Sequence, residues 1–345
     1  MRIGIANYEY QARECIRRVI LSEPGYEVAW EARDGLEAVK KCAADPPDLV
    51  LMEMMMPVMN GVEATRRIMK DSPCPVLVVC STPEAKVSMV FKAMGFGALD
   101  VVNTPTEGND LESEKSRRAL RRKIKKIASL THSGLGVDRP ELFTSHYPRK
   151  ETPPLVVLGA STGGPTALAD VLSALPAGIQ ATFVIIQHVD EAFSAGLAEW
   201  LNSQTRLEVV LAAEGVCPQA GRVYLAANND HLILNARHVF SYTAEPSDYP
   251  FRPSIDTFFL SAALQWPRAG VAALLTGMGK DGAAGLRALR DKGWHTIAQD
   301  EQTSVVYGMP KAAREMEAAV EILPIRQIAP SLVRNLKLRR NTSGT

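Results

Sequence analysis

The chain of 345 residues is long enough for about two domains, each able to bury its own core. With 46% hydrophobic and 22% charged residues and a formal net charge of +1, its composition is that of an ordinary globular protein, and no global charge draws it toward nucleic acid or membrane. No apolar run reaches the roughly 18–20 residues needed to cross a bilayer, and "MRIGIANYEYQ" holds no long apolar leader-type stretch. Five scattered cysteines without a CxxC suit a reducing compartment and give no metal site, so a cytoplasmic address without membrane insertion is the expectation.

Over the first hundred residues, short β-branched runs alternate with helical patterns. "RIGIA", "EVAWEA", "DLVLME", "PVLVVC" and "ALDVVN" read as strands, and five βα units imply a parallel sheet covered by helices. Residues 115–126, "KSRRALRRKIKK", hold eight Lys or Arg in twelve positions, with Leu120, Ile124 and Ile127 at helical spacing. This reads as a closing helix with a solvated basic face; no second basic patch or interleaved aromatic set supports a nucleic-acid arm. The stretch "THSGLGVDRPELFTSHYPRKETPP" is rich in Gly, Ser, Thr and Pro without periodicity. It reads as a linker over 131–152, between a first domain over 1–130 and a second over 153–337, with a tail over 338–345.

The second domain restarts the βα rhythm with "PLVVLGAS", a helix from about Pro165, "ATFVIIQH" and a helix through "SAGLAEWLN". Four short strands follow, "LEVVLAAE", "GRVYLAA", "HLILNA" and "HVFSYTA", spaced closely enough to suggest antiparallel pairing. The helical "SIDTFFLSAALQW", the strand-like "VAALLTGM" and the helical "DGAAGLRALRDKG" return to α/β, so a mixed, doubly wound sheet is expected, with its ligand site beyond the carboxyl ends of the parallel strands.

Three apolar strands there end in a side chain capable of chemistry: Ser161 after "PLVVLGA", His188 after "TFVIIQ", and Asp281 past "VAALLTGM". A serine hydroxyl is a weak nucleophile that needs a neutral imidazole to take its proton and a carboxylate to hold the imidazole's tautomer. Residues 159–163 also fit G-x-S-x-G, in which small neighbours permit a sharp strand-to-helix turn, and the helix beyond aims N–H groups at a developing oxyanion. Each residue taken singly has a plainer reading: Ser161 as a helix cap, His188 as a satisfied strand-end histidine, Asp281 as turn chemistry. A phosphate cradle also stays open, although "GASTGG" lacks the Lys of GxxxxGK[ST] and the spacing of GxGxxG. Arg252 in "FRPSID" either guides an acidic helix or anchors a loop, and His231, His238 and His295 lack ligand spacing.

"GASTGGP", "IIQHV", "FRPSIDTFF", "TGMGKDGA" and "AQDEQTSVVYGMP" resemble, in the same order, the successive motifs of the chemotaxis methylesterase family CheB. The first domain, through "PDLVLMEMMMPVMNGVEATRRIM", "PCPVLVV" and "GALDVVNTP", resembles that family's flavodoxin-like (βα)5 receiver. "MRIGIAN" and "GALDVVNTP" look closer to the Wsp-type, surface-sensing branch than to the flagellar one. The resemblance implies a C-terminal doubly wound, mainly parallel α/β domain that hydrolyses glutamyl methyl esters on chemoreceptor cytoplasmic domains, releasing methanol, with glutamine deamidation as a second activity. It implies Ser161 as nucleophile, His188 as general base and Asp281 as orienting carboxylate. The backbone N–H groups of Thr162 and Met278 are candidates for the oxyanion hole, and no cofactor or metal is called for. Implied partners are chemoreceptors and the array's histidine kinase.

The receiver departs from its family's pattern. Where a working receiver has an acidic pair, a phosphoaccepting aspartate, a Ser/Thr and a Lys, this chain has Asn7 and Tyr8, Glu53, Cys80 and Thr104. Mg²⁺ loses its carboxylate ligands and a phosphoryl group its counter-charge, so no phosphorylation is expected. Glu53 then either mimics a phosphoryl charge or is a tolerated strand-end acid. A non-catalytic adaptor acting through this domain is the alternative to an active esterase.

Overall fold

The computed structural model describes residues 1–80, 83–108, 110–130, 152–247, 249 and 251–341, so 131–151, nearly all of the expected linker, lies outside the described residues. The chain divides into two compact units, Met1–Leu135 and Gly136–Thr345.

The first unit alternates β1 (Arg2–Ala6), α1 (Tyr10–Leu21), β2 (Glu27–Ala32), α2 (Gly35–Ala44), β3 (Leu49–Met52), α3 (Gly61–Asp71), β4 (Val76–Cys80), α4 (Pro83–Gly95), β5 (Asp100–Asn103) and α5 (Leu111–Leu130). Its sheet is parallel throughout in the order β2-β1-β3-β4-β5, the flavodoxin-like winding. With both faces covered, the central strands can be almost wholly aliphatic, and Ile3, Ile5, Leu49, Leu51, Leu77 and Val79 form one cluster with Ile16 and Ile20 of α1. Leu120, Ile124 and Ile127 of α5 join that cluster, as their spacing predicted. The basic face of α5 is met in part by acids of its own unit: Arg117 and Arg121 by Glu114, Lys123 by Asp100 and Lys125 by Glu23.

The second unit runs β6 (Leu155–Ala160), α6 (Gly164–Ser173), β7 (Thr182–Gln187), α7 (Glu191–Gln204), β8 (Glu208–Leu211), β9 (Arg222–Leu225), β10 (His231–Leu234), β11 (Phe240–Thr243), α8 (Ile255–Gln265), β12 (Val271–Leu274), α9 (Ala283–Asp291), β13 (His295–Gln299), α10 (Met309–Glu315), β14 (Glu321–Leu323) and α11 (Ile325–Asn341). Seven strands form a parallel sheet in the order β14-β13-β12-β6-β7-β9-β8. The antiparallel expectation holds only for β10 and β11, which make a separate hairpin. Strands β8 and β9 instead lie parallel, because β9 inserts beside β7 and takes that strand's direction. The chain departs from β6 to one side through β7 and returns on the other through β12, which puts the winding's switch point at the carboxyl ends of β6 and β12.

Candidate active site

Ser161 and His188 each follow the last residue of a paired strand, since Ala160 of β6 pairs with Gln187 of β7, and the two leave the sheet side by side. The His188 N–H donates to the Ala160 carbonyl at 3.1 Å. The turn after Ser161 needs its glycines. Gly163 has φ +76°, where side chains are strained, and a Cβ there would stand 2.6 Å from Cβ of Val305; one on Gly164 would stand 2.1 Å from Oε1 of Gln187. The Ser161 carbonyl accepts from Gly164 N–H at 2.8 Å and from Gln187 Nε2 at 2.9 Å, and the Thr162 carbonyl accepts from Thr276 Oγ1 at 2.9 Å. Across from this turn runs the loop after β12, so close that a Cβ on Gly277 would fall 2.7 Å from Cβ of Ser161. Of the two backbone donors singled out in the sequence, Thr162 belongs to the serine's own turn, and Met278 follows Gly277 in the loop across from it.

The His188 imidazole donates from Nε2 to Asp281 Oδ2 at 2.7 Å, both side chains being buried. That leaves Nδ1 as the nitrogen able to accept a proton. The Phe251 ring lies flat against the imidazole, with centroids 4.3 Å apart and planes 3° from parallel. Asp281 does not cap its own helix α9, whose N-cap is the left-handed Gly282; it reaches the start of α8. Its carboxylate accepts Ser254 Oγ at 2.9 Å, Ile255 N–H at 2.7 Å and Asp256 N–H at 3.0 Å, so the positive end of α8 faces it. Burial pushes the Asp281 carboxyl upward, but the His188 bond and the α8 backbone donors outweigh it and hold it below the ordinary carboxylate range. The neighbouring Asp256 goes the other way: burial, then the Asp281 charge, push it well above that range, and its Oδ1 accepts from Gly285 N–H.

Sequence pattern alone does not single out Ser254, Phe251, Gln187 or Thr276, and it gives His231 only an ordinary surface or core role. His231 is fully buried, its Nδ1 accepting the Ser254 N–H at 3.0 Å. Arg252 takes the anchoring option, donating to the Ser247 carbonyl at 2.7 Å. His295 pairs with Glu321, and His238 stands edge-on to Trp266.

In the first unit, Asn7, Glu53, Cys80 and Thr104 also gather at the carboxyl edge of the sheet: Glu53 N–H donates to Ala6 and Thr104 N–H to Cys80. Glu53 is buried, and its Oε1 accepts the N–H groups of Met54 and Met55, the next two residues of its own loop. Asn7 Oδ1 accepts from Glu9 N–H, and the exposed Tyr8 donates its hydroxyl to Glu9. A buried guanidinium, Arg13, donates to the carbonyls of Asn7 and Tyr8 at 2.7 and 3.0 Å. This donor set does not fit Mg²⁺: the cation's acidic pair is absent, and a fixed positive charge stands at the end of β1.

Residues 156–332 match the CheB methylesterase family and residues 3–114 the response regulator receiver domain. The chain is 51% identical over 338 residues to the protein-glutamate methylesterase/protein-glutamine glutaminase 3 of Burkholderia orbicola (strain AU 1054), spanning 98% of this chain and 99% of that protein. It is 50% identical over 332 residues to the protein-glutamate methylesterase/protein-glutamine glutaminase 1 of Bordetella avium (strain 197N), spanning 96% of each. Among solved structures, the Thermotoga maritima CheB methylesterase catalytic domain superposes with a TM-score of 0.52 at 34% identity, covering 54% of this chain and 100% of that one. With a family match over more than half its length and full-length relatives at about half identity, the chain belongs to the CheB methylesterase family and carries that family's receiver domain at its N-terminal end.

Proposed function

We propose that this protein is a protein-glutamate methylesterase that hydrolyses glutamyl methyl esters on chemoreceptor cytoplasmic domains, with deamidation of glutamine as a second reaction of the same site. The observation that carries the reading is the 2.7 Å His188–Asp281 pair, set at the strand end beside Ser161. In this mechanism His188 Nδ1 takes the proton of Ser161 Oγ as the oxygen attacks the ester carbonyl. The oxyanion of the tetrahedral intermediate is held by the N–H groups of Thr162 and Met278. The imidazolium then returns its proton to the departing methoxide, releasing methanol and leaving an acyl-serine. Water, deprotonated by the same nitrogen, cleaves that ester to give glutamate and free serine. With glutamine the leaving group is ammonia. Asp281 stays ionised throughout and holds the imidazole in the tautomer with its proton on Nε2.

The assay that tests this is methanol release from methylated receptor fragments by the full chain without a phosphodonor, beside Ser161→Ala. Release that disappears in the variant supports the esterase. Absence of release from the wild type on several receptors favours the adaptor. Partners on this reading are chemoreceptors and the array's histidine kinase, met in the cytoplasm; among the described residues no helix is long and apolar enough to cross a membrane. We read the receiver as one that takes no phosphate, and Glu53 as a local strand-end acid, since its carboxylate folds back onto its own loop. Label taken up from acetyl phosphate and lost in Glu53→Ala would overturn that reading.

A further inference from the structure

The segment 251–254 touches both members of the His188–Asp281 pair. Phe251 lies on the imidazole face, and Ser254 donates its hydroxyl to Asp281 Oδ1 while its helix supplies two more N–H donors. What fixes that segment comes from outside the main sheet. His231, the first residue of β10, has no solvent exposure and uses both ring nitrogens. Its Nδ1 accepts the Ser254 N–H at 3.0 Å, and its Nε2 lies 3.2 Å from the Pro246 carbonyl. An N–H can only donate and a carbonyl can only accept, so these contacts require a bare Nδ1 and a proton on Nε2: one neutral tautomer. Burial also pushes the His231 imidazole down, away from its charged form. The Ser254 side chain caps α8 by accepting the Thr257 N–H, so displacing its backbone would disturb the helix start that holds Asp281.

We propose that His231 is a positioning residue of the ester-hydrolysing site: by locking the Ser254 backbone it sets the Asp281 carboxylate and, through Phe251, the plane of the His188 ring. This rests on the reading of Ser161, His188 and Asp281 given above. A merely structural histidine filling the space beneath the hairpin would affect stability, and nothing about catalysis would depend on which polar atom replaces Nδ1.

The test uses the full chain with His231→Phe, which keeps the ring and removes the acceptor; His231→Asn, whose amide oxygen can stand where Nδ1 stands; and His231→Gln, which offers a donor toward Pro246. On methylated receptor fragments, kcat is expected to fall roughly tenfold to a hundredfold in His231→Phe with KM changed by less than about threefold, and His231→Asn to recover most of that loss. The low-field proton resonance of the His188–Asp281 bond, identified by its absence in Asp281→Asn, should shift or broaden in His231→Phe and return in His231→Asn. The proposal is overturned if folded Phe and Asn variants both keep kcat within about twofold of wild type, or lose it equally with an unchanged proton resonance. If His231→Phe fails to fold, Asn against Gln decides: equal kcat overturns the proposal, and higher kcat in Asn upholds it. A wild type that releases no methanol refutes the esterase reading instead, and the proton resonance still reports whether His231 positions the pair.

Discussion

Both units place a carboxylate beyond a buried parallel strand at the ligand edge of the sheet, Glu53 directly after β3 and Asp281 in the loop between β12 and α9, yet the two carboxylates are treated differently. Glu53 spends one oxygen on the N–H groups of the next two residues, contacts its own loop supplies. Asp281 is met by His188, just past β7, and by three donors at the start of α8, all at least 25 residues away in sequence. An acceptor that takes the N–H groups of the next two residues helps to shape its own turn. One met by separate elements is held at a fixed place and angle relative to another reactive group, which is what preorganised chemistry needs.

Five substitutions test this difference between the two carboxylates. The largest effect is expected of Ser161→Ala, which should cut methanol release by roughly 10⁴-fold or more with the fold retained, as circular dichroism would show. Asp281→Asn comes next: the amide can no longer accept every donor around it and favours the wrong imidazole tautomer. Turnover should fall roughly 10³-fold to 10⁴-fold and stability by about 2–3 kcal/mol in denaturant unfolding. Gly277→Ala would place a methyl group 2.3 Å from Met309 Sδ and 2.7 Å from Ser161 Cβ. Such overpacking costs about 1–3 kcal/mol, so a lowered Tm accompanied by reduced activity is expected.

Asp256→Asn should act through pH. The native state keeps the Asp256 proton where the unfolded chain has lost it, so the wild type loses stability as pH rises above the ordinary carboxylate range. The variant lacks that slope, and its Tm relative to wild type should climb between about pH 5 and about pH 7; a flat difference would mean that Asp256 is charged in the fold. The smallest effect is expected of Glu53→Gln, whose amide oxygen can still accept from Met54 and Met55: methanol release should change by less than about twofold. A large fall there would restore the idea of a permanent phosphoryl mimic and erase the contrast between the two carboxylates.

The βα rhythm, the aliphatic strands and the α5 stripe of Leu120, Ile124 and Ile127 were legible because burial on one or both faces writes a period into the sequence. Ser161, His188 and Asp281 could be picked out because each follows an apolar strand, where ligands gather in such sheets. The supports were not legible. His231 meets Ser254 through a single backbone N–H, Arg13 meets two carbonyls, and Gln187 reaches the Ser161 carbonyl; contacts between segments with no common period leave no trace in local pattern. Strand direction failed for a related reason. Closely spaced β8 and β9 look like a hairpin, but the sheet neighbour β7 decides which way β9 runs.

The order of the second sheet also bears on how the protein comes to life. Its adjacent strands β6 and β12 are separated in the chain by five other strands and three helices, and the partner of His188 lies 93 residues further along the chain. Closing so long a loop is a slow step in folding, since its entropy must be lost before the contact rewards it. Until β12 docks, the serine turn has no facing loop and the imidazole no carboxylate. On the proposed mechanism, esterase competence thus arrives only when β12 docks, and a chain interrupted before that point holds the serine and histidine without the carboxylate.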